Sequence, residues 1–544
     1  MISNDRFHYN PPQLMLFILL YIHVNIRGNF FAMAPLQTIN DTLIAEFEGL
    51  TPIQQFYKDK SVFLTGATGF LGKVVMEKLL RCCDINTLYI LIRSKKGKSV
   101  ETRCDEIFDD AVFDQLKQEK PKFRHKIIGV SGDCVLPGLG IDSNTRQVLR
   151  ENVNIVFHVA ATVKFDEKLK LALGINVNGT REMMLLSREM HDLQAFVHVS
   201  TAYCNCNRTT IDEKIYRQSM TGENAIKLMD CMDEKTLDSI TPQLIAGWPN
   251  TYTYTKCLAE DLVKSMSKDL PVTIFRPAIV IPTYKEPVSG WIDNMYGPTG
   301  IIVGVGSGLL RVFRSNPENF AELVPVDMVC CALLASAWDV AKSTHNEPPV
   351  YNYVASAQNP ITWKRYCDLG IDHGKQMPMM KTLWYNRFTM TSSVIMLAIL
   401  SFLYHTIPAF LMDAGLVLTG KKPKMMRIYK KIHKFCEVIG YFTTQRWYFA
   451  NTNVQKLWSS LDPEDQKMFF FNMADIEWSE VIGLSIYGIR TYLLKEDPST
   501  IPLALKRAER LKWLHYATIY TVYTLVLYVL YVILRAFSFF SLFD

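Results

Sequence analysis

Residues 251–256 read Thr-Tyr-Thr-Tyr-Thr-Lys. Tyr252 and Lys256 are four positions apart, so on a helix they lie one turn from each other on the same face. A phenol is a poor acid or base near neutrality. An ammonium beside it favours the phenolate and is expected to lower the Tyr252 pKa toward the working range. Tyr254 does not have that spacing from Lys256, which leaves Tyr252 as the proton-handling group. Upstream, the apolar run 196–199 delivers Ser200 and Thr201 at its carboxyl end. A hydroxyl there can hydrogen-bond the oxygen of a reacting carbonyl, where negative charge develops. Which of the two hydroxyls leads is open at this level. Tyr-x-x-x-Lys spacings are common by chance, so the weight of this one depends on the elements that position it.

The most informative of those elements is residues 61–73, Ser-Val-Phe-Leu-Thr-Gly-Ala-Thr-Gly-Phe-Leu-Gly-Lys. Residues 62–64 suit a strand buried on both faces, and residues 73–80 carry apolar side chains at helical spacing. A strand that turns through glycines into a helix is a dinucleotide-binding signature. Gly66 permits the tight turn, Gly69 lets a pyrophosphate approach the backbone, and Gly72 lets helix and strand pack closely. The helix N-terminus adds free N–H groups and partial positive charge. Thr65, Gly66, Thr68, Gly69, Phe70, Leu71 and Gly72 are therefore the expected phosphate side of a cofactor site.

Further apolar runs follow at 87–92, 126–130, 155–159 and 196–199, alternating with helical stretches. That alternation predicts a parallel, doubly wound α/β sheet. The run at 87–92 ends in Arg93-Ser94-Lys95-Lys96, where a fold that prefers NAD usually carries a carboxylate for the ribose hydroxyls. A guanidinium at that place can pair with a 2′-phosphate, which favours NADPH. Asp133 is placed to accept from the adenine amine. Ala160 and Ala161 are small enough for backbone to lie against ribose and nicotinamide, and Asn176 opens a helix on the same edge.

The chain has 544 residues, too many for one core, with 49% hydrophobic and 21% charged residues. Its net charge of +6 is modest and no aromatic-interleaved basic stripe accompanies it, so nucleic acid is not an expected partner. The twelve cysteines are scattered without a C-x-x-C pair. That argues against zinc and disulfide frameworks and for a reducing compartment. Residues 516–534 are uncharged and apolar, with Lys506, Arg507, Arg510 and Lys512 before them and little charge after. They predict a transmembrane helix with the preceding domain in the cytosol. Residues 388–412 are long enough to span a bilayer, but Ser392, Ser393, His405 and Pro408 also suit a re-entrant or interfacial segment. The basic cluster at 421–434 fits anionic lipid head groups or a solvated helix face. The short apolar run at 14–24 admits a signal peptide or an extension ahead of a start at Met33.

Taken together and in this order, these motifs resemble the fatty acyl-CoA reductases of the extended short-chain dehydrogenase/reductase family. The resemblance rests on residues 65–72 (TGATGFLG), 199–205 (VSTAYCN), 247–256 (GWPNTYTYTK) and 275–280 (FRPAIV), with 325–327 (PVD) and 351–353 (YNY) as later landmarks. It implies NADPH-dependent reduction of a long-chain acyl-CoA to an alcohol, on an intracellular organelle membrane such as the endoplasmic reticulum. The implied organisation is an extension over 1–50, a Rossmann-type NADP-binding reductase domain over 51–365 and a helical C-terminal domain over 366–500. A basic flank and membrane helix follow over 506–544. It implies that Tyr252 donates the proton, that Lys256 tunes it and holds the nicotinamide ribose, and that Thr201 with Ser200 binds the carbonyl oxygen. The alternatives are a membrane-bound hydroxysteroid dehydrogenase, against which Arg93 and the long C-terminal part count, and a cofactor-binding scaffold without turnover. Oligomeric state is not legible.

Overall fold

The computed structural model describes residues 49–94 and 97–540. The apolar run at 14–24 and the pair Lys95-Lys96 lie outside the described residues. From Pro52 onward the chain forms one unit, and its centre is a sheet of seven strands. These are β1 (Ser61–Thr65), β2 (Thr87–Ile92), β3 (Ile127–Ser131), β4 (Ile155–His158), β5 (Ala195–Val199), β6 (Val272–Pro277) and β7 (Val350–Tyr353). Their order is β7-β6-β5-β4-β1-β2-β3, and each neighbouring pair is parallel. The apolar runs form strands here because both faces of the sheet are covered. Alternate residues prove it: Val62 and Leu64 belong to one hydrophobic core and Phe63 to another, as do Phe157 and Val156 on β4. Chain order reverses between β1 and β4, and the crevice at their carboxyl ends is where such sheets bind ligands.

The helices that build or flank this crevice and carry the C-terminal part are α1 (Phe70–Cys82), α2 (Thr251–Met266), α3 (Gly297–Gly306), α4 (Trp363–Gln376), α5 (Val394–Leu418), α6 (Met425–Thr444), α7 (Trp478–Gly488) and α8 (Ile501–Phe540). The helix expected to open at Asn176 begins earlier, at Leu169, and passes through one π turn at Gly174–Asn178. Trp447, Phe449, Phe469, Phe471 and Trp478 pack into the same core as β1 and β4, so these aromatics hold the C-terminal helices to the sheet.

The apolar segment expected over 388–412 is displaced. Phe388 precedes a short strand, Thr389–Thr391, and the helix α5 runs from Val394 to Leu418. Its polar residues are explained by attachment to the body. His405 hydrogen-bonds His433 at 3.0 Å and accepts from the Arg311 N–H at 3.0 Å. Asp413 accepts from the N–H groups of Lys424, Met425 and Met426 and so caps α6. By length and composition α5 and the stretch Pro498–Arg535 could each cross a membrane, with 11% and 0% of their most apolar windows buried.

Candidate active site

Gly66 has φ +78°, and a Cβ on it would lie 2.8 Å from Ala160 N, so the ends of β1 and β4 meet backbone to backbone. A Cβ on Gly72 would lie 2.2 Å from Gly66 O, so only glycine allows α1 to rest on the turn. Gly69 caps α1 without a side-chain hydrogen bond, and the N–H groups of the first turn have no intrahelical acceptor. Thr68 and Gly69 are exposed at the rim. Phe70 stacks on Trp291 (centroids 5.2 Å) and Leu71 packs against the core. An uncapped helix N-terminus behind bare glycines fits a pyrophosphate.

Several of the expected cofactor residues build the crevice by bonding to each other. The buried Thr65 hydroxyl accepts from Ala160 N at 3.2 Å and bonds His158 Nδ1 at 2.9 Å. Burial and the Lys256 charge depress the His158 pKa to about 3, so that ring is neutral. Asn176 is fully buried: its Oδ1 accepts from Thr162 N (2.9 Å) and its Nδ2 donates to Thr255 Oγ1 (2.9 Å). It thereby clamps the loop of Ala160 and Ala161 onto α2. At the other end of the crevice Arg93 Nε lies 3.8 Å from Asp133 Oδ2, with the arginine largely exposed. Asp133 also accepts from Val135 N (3.2 Å).

α2 starts at Asn250, whose side chain accepts from Thr253 N at 2.9 Å. That start puts Tyr252, Lys256 and Glu260 on successive turns of one face. Lys256 is buried and donates to Val199 O, the last carbonyl of β5, at 2.7 Å. Burial lowers its pKa to about 8, while Glu260 pulls the other way. Thr201 caps the turn after β5 and accepts from Tyr203 N (3.3 Å), and its hydroxyl is close enough to the Tyr252 phenol to draw that pKa down. Ser200 Oγ is buried without a hydrogen-bond partner among the described residues.

The expected pKa shift of Tyr252 is reversed. Burial raises it above the usual phenol value, and the nearby Thr201 hydroxyl only partly offsets that. The cause is desolvation, which penalises the anion more than a neighbouring charge can restore. The phenol therefore stays protonated, the state a proton donor needs.

Two regions of the chain, 64–333 and 404–496, match family models described as male sterility protein. A Drosophila melanogaster protein called fatty acyl-CoA reductase wat is 54% identical over 477 residues, covering 88% of this chain and 92% of its own. The chain belongs to the fatty acyl-CoA reductase family. Fatty acyl-CoA reductase 1 of Rattus norvegicus is 39% identical over 468 residues, covering 86% of this reductase and 91% of its own chain. Among solved structures, the reductase domain of a nonribosomal peptide synthetase from Mycobacterium tuberculosis shares the fold, with a TM-score of 0.52 and 17% identity over 84% of this reductase and 95% of that chain.

Several residues around the site do not stand out in the sequence. Glu260 forms a fully buried, two-pronged ion pair with Arg276 of β6 (2.7 and 2.6 Å). Arg276 is the arginine of the 275–280 motif, and a charge inside an apolar strand is the one signal that could have found it. It also donates to Asp212 O, Lys214 O and Asn352 Oδ1, and Asn352 is the asparagine of 351–353. Arg103 donates to the Arg93 carbonyl, which adds a second guanidinium at that strand end. Phe165 stacks on Tyr252 (5.8 Å) and touches Phe442 of α6 (5.4 Å). Lys434 of α6 pairs with Asp166 at 2.6 Å. No local pattern signals that the C-terminal helices form this wall, because the partners are far apart in the chain.

Proposed function

We propose that the reductase converts long-chain fatty acyl-CoA to fatty alcohol with NADPH, releasing CoA, in two successive reductions at one site. The observation that carries this is the meeting of Tyr252, Thr201 and Lys256 at the carboxyl edge of β5, beside the glycine turn. When bound, reduced nicotinamide supplies hydride to the thioester carbonyl carbon. Thr201 leads as the hydroxyl at the carbonyl oxygen, since its hydroxyl acts on the Tyr252 phenol while Ser200 Oγ is buried away from any partner. Tyr252 delivers its proton to the oxygen as charge develops there, an alkoxide being the stronger base. Lys256 has two N–H donors left beyond Val199 O, which would hold the nicotinamide ribose. The hemithioacetal so formed collapses to aldehyde and CoA thiol, and a second hydride and proton at the same place give the alcohol. A long chain retained in an apolar path, at up to ~0.8 kcal/mol per CH₂, keeps the aldehyde bound between rounds. The test is NADPH oxidised against CoA thiol released, with the lipid product identified. A ratio of two with alcohol is expected; a ratio of one with aldehyde accumulating from a long-chain substrate would overturn the two-round reading.

NADPH is preferred over NADH because Arg93, with Arg103 behind it, supplies guanidinium groups where a 2′-phosphate would lie. Arg93→Ala is expected to raise the KM for NADPH by ~10-fold or more, one charge-assisted contact being worth roughly 1.5–3 kcal/mol, with little change for NADH. Equal use of both cofactors by the unmodified protein would sink this.

The same reading places the reductase on an intracellular organelle membrane. α8 is the anchor, α5 lies in the interface with His405 and Asp413 turned to the protein, and Lys430 and Lys431 of α6 meet anionic head groups. The basic residues before α8 put the catalytic part on the cytosolic side. Protease added to sealed microsomes is expected to digest that part; full protection would reverse the orientation.

A further inference from the structure

The stretch between β4 and the helix that begins at Leu169 has no regular structure, and it is pinned at two points. Thr162 N donates to Asn176 Oδ1 (2.9 Å), and the hydroxyl of Thr251, the first residue of α2, donates to Glu167 O (2.9 Å). Between these anchors two successive side chains leave the loop for different helices. Phe165 stacks on Tyr252, with ring centroids 5.8 Å apart and an interplanar angle of 21°. Asp166 accepts from Lys434 of α6 at 2.6 Å.

Phe165 is also one end of an arc of rings. Phe442 of α6 lies against it (5.4 Å) and meets Tyr203 edge-on (5.2 Å), and Tyr203 N donates to the Thr201 hydroxyl (3.3 Å). The arc therefore runs from one of the two residues proposed for the carbonyl oxygen to the other. Tyr203 and Phe442 are buried, whereas Phe165 is half-buried, so it is the member with surface left for a ligand to cover. Val163, on the same loop, leaves a further apolar side chain 44% exposed. What this wall offers is apolar area beside the reacting carbon, which suits the first methylenes of an acyl chain rather than a nucleotide.

We propose that Phe165 is the residue that seats the acyl chain at Tyr252 and retains it between the two reductions, and that Lys434 holds Phe165 in place through Asp166. The inference rests on the reading of Tyr252 and Thr201 as the carbonyl site. A ring lying against the phenol covers the carbons next to the carbonyl in the thioester and in the aldehyde alike, so it serves both rounds. Its nearest anchors are on α2 and α6 rather than on the glycine turn, which lets it stay in place while spent cofactor leaves. The Lys434 and Asp166 side chains are 66% and 56% exposed, so this anchor is the weaker part of the device.

The test uses the full chain in phosphatidylcholine vesicles with NADPH and palmitoyl-CoA. It reads two quantities: the KM for palmitoyl-CoA, and the hexadecanal released per CoA thiol. Phe165→Ala is expected to raise both by ~5-fold or more through the lost apolar contact, with the Kd for NADPH unchanged, and Phe165→Leu to recover most of the loss. Lys434→Gln should move both quantities the same way by ~2–3-fold, and the charge-reversed pair Asp166→Lys/Lys434→Asp should restore them. Wild-type values of both quantities in Phe165→Ala would overturn the proposal. So would a rise matched by an equal loss of NADPH affinity, which is what a merely structural role of the loop gives. A Lys434→Gln chain indistinguishable from the wild type would overturn the anchor. If the wild type itself releases one aldehyde per CoA, the two-round reading fails, and the KM for palmitoyl-CoA in Phe165→Ala still decides whether Phe165 seats the chain.

Discussion

Tyr252→Phe is expected to lower turnover by ~100-fold or more while NADPH binding persists. The substitution keeps the ring that stacks on Phe165 and removes only the hydroxyl that carries the proton. Because burial keeps the phenol protonated, the wild-type rate should show no loss from phenol ionisation in the ordinary alkaline range. Lys256 behaves differently. Its pKa of about 8 means that its charge disappears as pH rises through that value, so cofactor affinity and turnover should fall together there. Lys256→Ala should show both defects at neutral pH. Single-turnover rates and NADPH fluorescence titration separate the two. Near-normal activity in Tyr252→Phe would move the role elsewhere. Tyr254 is a poor substitute, since it packs against Trp248 in a separate cluster (5.3 Å).

Arg276→Met is expected to destabilise the fold by ~3–5 kcal/mol, the usual cost of leaving one partner of a buried ion pair uncompensated. Both side chains of the pair are essentially inaccessible, and Arg276 satisfies three further acceptors on two segments. The damage should reach the catalytic face, because Glu260 lies one turn beyond Lys256 on α2. An unpaired Glu260 carboxylate would raise the Lys256 pKa and shift the alkaline limb of the pH profile upward. Glu260→Gln alone should also be costly, and the double variant less so than the two singles added, because it leaves no lone buried charge. Urea unfolding of the four chains gives the coupling. A loss below ~1 kcal/mol in Arg276→Met would show that the pair does not brace α2 against β6.

Sequence by itself determined the features that depend on near neighbours. The strands of the first half were legible because a run buried on both faces must be apolar throughout. The glycine turn was legible because a positive φ at Gly66 and the contact of Gly72 with Gly66 O admit no side chain. Tyr252 and Lys256 were legible because four residues make a helical turn. What joins distant segments, or depends on how much water is excluded, was decided by tertiary structure. Lys256 reaches Val199 O only because α2 crosses the end of β5. The Tyr252 pKa moves up instead of down because Phe165 and the helix bury it, and desolvation is a property of the assembled site. Asn176 acts as a clamp because Thr162 and Thr255 converge on it. α5 runs to Leu418, past the point where composition ended the segment, because Asp413 is satisfied by the N-terminus of α6. A charge that looks like a boundary in one dimension is, in three, the attachment that lets the apolar helix continue.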